Sequence, residues 1–124
     1  MFKNILLVGA GGFIGSVSRY LTGLAFAELV HPFPFGTFII NIIGSLAIGI
    51  VYGIADRSGY LSQWWILFLA TGFCGGFTTF STFAHENLRL LQAGEYVLFG
   101  LYTGGSILLG ILAVLAGIAI TKFF

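Results

Sequence analysis

Apolar positions along this chain neither alternate nor keep to one helical stripe; they run on almost without interruption. Four uncharged or nearly uncharged stretches stand out, at about residues 4–27, 36–55, 63–85 and 96–121. Each reaches the roughly 20 residues that a membrane-spanning helix needs. Polar residues gather in the short connections between them, Glu28 to Pro34, Asp56 to Ser62 and Arg89 to Glu95. Pro32 and Pro34 separate the first stretch from the second, since proline disfavours helix in the residue before it and suits a helix start. The pattern predicts an all-α membrane protein, one four-helix domain over residues 1–124. The pair Trp64-Trp65 opens the third stretch as an interfacial anchor.

Composition changes the picture only by naming the solvent. The chain is 58% hydrophobic and 7% charged, against about 25% charged residues in soluble domains. So few charges cannot clothe a water-facing surface, and the expected location is a cell membrane, crossed several times with lipid as neighbour. A net charge of +1 argues against a basic face for nucleic acid. The single cysteine, Cys74, rules out an intrachain disulfide or a multi-cysteine metal site and is expected to be a small buried hydrophobe. No signal peptide is expected.

The stretch "ILLVGAGGFIGSVSRYL", residues 5–21, carries glycines that resemble a dinucleotide-binding turn. Such a turn needs strand, helix and strand, with an acidic residue about 20 positions on. Here helical apolar character continues through Tyr20 and Leu24. The glycines instead give small faces, Gly11 with Gly15 and Gly12 with Ser16, that let helices approach closely. Similar stripes recur at Asn41, Ser45, Gly49 and Gly53 on the second span and at Tyr102, Ser106 and Gly110 on the fourth. These are expected to meet across a subunit interface. Asn41 differs from the glycines, because an amide deep in an apolar span is costly unless hydrogen-bonded or wet.

Four spans put both termini on one side, with Lys3, Arg57 and Lys122; Arg89 falls opposite and Arg19 tends towards it. Three cations against two give almost no orienting bias. That leaves two expectations: insertion both ways with assembly as an antiparallel dual-topology homodimer, or one weakly biased orientation.

The third span contains "TGFCGGFTTFSTFAHE", residues 71–86. Its glycines are weak helix formers, and the hydroxyls of Thr78, Thr79, Ser81 and Thr82 are able to satisfy freed backbone groups. An interruption near mid-membrane, around 75–79, is therefore expected. Such gaps commonly serve ions, while a plain glycine kink remains the alternative. Phe80 and Phe83 share a face beyond the gap. The positive edges of their rings, with the Asn41 amide, suit a small hard anion that must be released as well as bound.

With "GGFIGSVSRY", "PFGTFIINIIGS" and this segment in place, essentially the whole chain resembles the Fluc (CrcB) fluoride channel family. The resemblance implies a passive, non-enzymatic channel that exports fluoride across the inner membrane and relieves its toxicity. It works as a dual-topology homodimer with two pores. It further implies pore residues Asn41, Phe80, Phe83 and Thr37, with a polar track of Tyr102 and Ser106 in which Gly110 replaces a common serine. Arg19 and Glu86 would lie in a vestibule. A structural sodium ion at the dimer interface would be held by the backbone carbonyls of Gly75 and Thr78. A small dual-topology multidrug exporter is the competing reading, but such a proton-coupled exporter needs a mid-membrane carboxylate, and the first span offers none before Glu28. His85 with Glu86 makes a poor metal site, and His31 is expected to be an interfacial polar residue.

Overall fold

The computed structural model describes residues 1–59 and 61–123. Tyr60, within the predicted second connection, and Phe124, at the end of the predicted domain, lie outside them. The described residues are helical almost throughout: α1 (Phe2–Phe26), α2 (Phe35–Ser58), α3 (63–77), α4 (Phe80–Gln92) and α5 (Tyr96–Thr121). Four segments are long and apolar enough to cross a membrane, Phe2–Phe26, Phe35–Arg57, Gln63–Gln92 and Tyr96–Thr121. The third comprises α3 and α4.

The connections follow local chemistry. Pro34 stands at the N-cap of α2 with φ −81°, close to the angle its ring imposes. His31 does more than decorate the interface: its Nδ1 accepts from the Phe33 N–H at 3.0 Å, closing the turn before α2. Gly59 ends α2 at φ 60°, a left-handed conformation in which a Cβ would be strained.

Glycine decides which helices touch. A Cβ on Gly11 would meet the backbone of Phe68, Phe73 and Gly72, and one on Gly15 would meet Phe73 and Phe77. α1 thus packs its small face directly on α3. A Cβ on Gly49 would overlap Val114, and one on Gly53 would lie 3.0 Å from Thr121 Cγ2. The Gly49–Gly53 half of the α2 stripe is therefore a seam with α5 of the same chain, which corrects the expectation of an intersubunit face. The physical reason is proximity: α2 and α5 share the most extensive contact in the fold. At the end of this seam Arg57 Nη1 donates to the Thr121 carbonyl, satisfying an orphan acceptor at the C-terminus of α5.

α3 is not uniform. Residues Leu67–Cys74 wind as a π-helix, and Gly75–Phe77 return to α geometry. Thr78 (φ −84°, ψ 158°) and Thr79 (φ −148°, ψ 120°) are extended before α4 begins. The gap was expected to span 75–79, but Gly75 and Gly76 stay helical. Gly76 packs tightly against α1, where a Cβ would sit 2.6 Å from the Gly12 carbonyl oxygen, so its lack of a side chain serves contact there.

Candidate functional site

The extended pair is held by side chains from both directions. Thr78 Oγ1 donates to the Cys74 carbonyl at 2.8 Å. Asn41, from α2, grips Thr79 at both backbone groups: the Thr79 N–H donates to Asn41 Oδ1 at 2.9 Å, and Asn41 Nδ2 donates to the Thr79 carbonyl at 3.2 Å. A planar amide offers one acceptor and two donors, so it pairs with an extended residue much as a neighbouring strand would and keeps one N–H in reserve. Thr79 Oγ1 in turn caps α4 by accepting from the Thr82 N–H at 3.3 Å, the usual service of a threonine at this position.

These bonds divert two amides. In an unbroken helix the Thr79 N–H would serve the Gly75 carbonyl and the Thr82 N–H would serve Thr78. Both are taken by side-chain oxygens instead.

Two hollows flank this region. The first is an open groove of about 510 Å³ whose lining includes Asn41, Ser45, Gly75, Thr78, Phe80, Phe83 and Ser106. No charged side chain is among its described lining residues. Phe80 is 80% exposed on this wall, its ring 5.9 Å from that of Phe83 and tilted by 44°. Ser45 Oγ donates back to the Asn41 carbonyl at 2.7 Å, and a Cβ on Gly110 would fall 3.6 Å from Ser45 Oγ, which places Gly110 beside the groove's polar wall. The Ser106 hydroxyl is buried without a hydrogen-bond partner.

The second hollow, about 230 Å³, lies towards the α1–α2 connection and includes Thr37, Glu86, His31 and Phe33 in its lining. Thr37 Oγ1 donates to Glu86 Oε1 at 2.5 Å. Thr37 is thus set beside Glu86 and away from Asn41. Between the hollows stands Tyr102, fully buried at 0% exposure. Its ring lies 5.0 Å from Phe83 and 5.4 Å edge-on from Phe33. Its hydroxyl approaches the Thr37 side chain but makes no geometrically sound hydrogen bond. Arg19 lines neither hollow.

This arrangement has known counterparts. The family described as "CrcB-like protein, Camphor Resistance (CrcB)" matches residues 6–118. The chain belongs to the CrcB family. Among its relatives, the "Fluoride-specific ion channel FluC" of Bacteroides fragilis is 54% identical, covering 93% of each chain. The protein of the same name from Chlorobium luteolum is 49% identical, over 96% of this chain and 92% of its own. That of Leptospira interrogans is 44% identical, over 98% and 97%.

In this CrcB chain some structural residues at the site escaped sequence reasoning. Thr79 was legible only as one hydroxyl among four, although it supplies both the backbone edge for Asn41 and the cap of α4. Asn87 was missed altogether. It is buried, its Nδ2 donates to the Phe83 carbonyl at 3.1 Å, and its Oδ1 accepts from Thr103 Oγ1 at 2.9 Å. Its position four residues after Phe83 on one helix face was the available signal.

Proposed function

We propose that this chain is a fluoride-selective channel of the inner membrane, working as an antiparallel two-fold homodimer and exporting the ion passively. The observation that carries this reading is the groove that gathers only uncharged donors: the spare Asn41 N–H, the unpartnered Ser106 hydroxyl, and the rings of Phe80 and Phe83. A buried hydroxyl left unpaired costs about 1–3 kcal/mol, a deficit that an anion or its water makes good. Fluoride is small and strongly hydrated, so several weak neutral donors replace its shell without trapping it. The names of the relatives support the identity of the ion.

From the groove, the reading continues past Phe83 and Tyr102 to Thr37 and the Glu86 vestibule, with Arg19 at the aqueous edge. A negative interior drives each F⁻ outward with about 2.3 kcal/mol per 100 mV. No energy-coupling domain is required.

A sodium ion suits the same geometry. The Gly75 and Thr78 carbonyls have their helical amides diverted, and neutral oxygens of this kind are hard ligands that suit a hard cation. Gly75 is exposed on the single chain, so a two-fold mate is able to bring its own pair to the same point, giving four oxygens. When bound, the ion supplies a positive centre shared by both copies.

The test is fluoride efflux from liposomes holding purified protein. Fluoride release with scarcely any chloride release is expected, and Phe80→Ile or Phe83→Ile should slow it while leaving the dimer intact. Absence of fluoride release, or equal passage of chloride, overturns the reading.

A further inference from the structure

Away from the groove, at the opposite end of α3, a cleft of about 390 Å³ opens between the start of α1 and the start of the third span. It is lined by Lys3, Leu7, Ser62, Trp64, Trp65 and Phe68. The Lys3 ammonium sits over the Trp64 ring, 3.2 Å from its centroid. An ammonium held over an aromatic face is well placed but incompletely neutralised, because the ring offers only a quadrupole. No carboxylate is among the described lining residues. Below the cation, Leu7 and Phe68 supply apolar walls, and Trp65 meets Phe68 edge-on at 6.1 Å. Trp64 and Trp65 are both more than half exposed.

We propose that this cleft holds one anionic phospholipid. Its phosphate engages Lys3, the Ser62 hydroxyl lies at the headgroup level, and an acyl chain runs along Leu7 and Phe68. The occupant follows from the vertical order of the lining: a cation and a hydroxyl at the mouth, indoles at the interfacial depth they favour, and aliphatic and phenyl surface beneath. A soluble anion such as phosphate would leave the apolar walls bare. A zwitterionic lipid would set its own ammonium against Lys3. A single lysine near the surface favours anionic lipid by about fivefold. The proposal rests on the membrane-spanning reading and is independent of which ion the groove conducts.

The protein carries its own probe, since Trp64 and Trp65 are its only two tryptophans and both line the cleft. The experiment reconstitutes the full chain in phosphatidylcholine vesicles containing a minor fraction of brominated lipid, either phosphatidylglycerol or phosphatidylcholine, and follows tryptophan emission. Brominated phosphatidylglycerol should quench at an about fivefold lower mole fraction than brominated phosphatidylcholine. The difference should vanish in Lys3→Gln, with elution volume and fluoride efflux unchanged, and added inorganic phosphate should not restore emission. Equal quenching by the two headgroups overturns the proposal. So does a preference that survives Lys3→Gln, or one that free phosphate abolishes. Failure here with intact fluoride efflux would leave the channel reading standing.

Discussion

Replacing Asn41 by leucine should release Thr79 from both of its backbone partners while roughly keeping side-chain volume. The two bonds, at 2.9 and 3.2 Å, each contribute about 1 kcal/mol net, but the larger loss comes from what remains. Thr79 is only 9% exposed, so its N–H and C=O would stay dry and unpaired at about 1–3 kcal/mol each. The sum is about 2–6 kcal/mol, concentrated on two residues. Local opening of Thr79 should therefore become easier, and at ~1.4 kcal/mol per decade even the lower figure means about 30-fold faster exchange of its amide hydrogen. Asn41→Asp provides the discriminating comparison. It retains an acceptor oxygen for the Thr79 N–H and loses only the donor to the carbonyl, so protection of that amide should persist. The assay is residue-resolved hydrogen exchange on the detergent-purified protein, with elution volume as the control for folding. A Thr79 amide that exchanges equally slowly in the parent and in Asn41→Leu would refute the account of how the extended pair is held.

The glycine seam between α1 and α3 predicts opposite signs at two neighbouring positions. Gly15→Ala places a methyl against the Phe73 carbonyl and 3.0 Å from the Phe77 nitrogen and should cost about 1–3 kcal/mol as overpacking. Gly9→Ala meets nothing within 4 Å and should gain about 0.5–1 kcal/mol from helix propensity; thermal unfolding in detergent that shifts both the same way contradicts the seam. At Asn87, Asn87→Leu and Thr103→Val should each lower the melting temperature, and the double variant should lose less than the sum by about 1 kcal/mol, the mark of a shared bond. Simple additivity would show that the 2.9 Å contact between α4 and α5 carries no coupling.

Much of this was legible because membranes simplify the code. Long apolar runs gave four spans, and the helices that form, such as Phe35–Ser58 and Tyr96–Thr121, overlap the expected stretches closely. Four-residue spacing of Gly11 and Gly15 revealed a packing face. It did not reveal the partner, since periodicity describes a face and never its neighbour; hence Gly49 and Gly53 were assigned outward when they pack on α5. The cost of burying Asn41 was visible from its surroundings, but its partner lies 38 residues away. The bond from Thr37 to Glu86 spans 49 residues and was equally out of reach. The extended residues were misplaced by a few positions because glycine's low helix propensity was weighed ahead of close contact. Gly76 faces α1, and tertiary packing keeps it helical there.

The wide turn from Leu67 to Cys74 has a consequence for how this segment tolerates insertion and loss. Each turn with i→i+5 bonding accommodates more residues than an α turn, so residue number along the third span also sets an azimuth. Removing one residue within that turn would tighten the winding and swivel everything after it about the helix axis, carrying Thr79 out of Asn41's reach and pointing Phe80 elsewhere. Substitutions there are tolerable wherever they fit; a change in length is a change of aim.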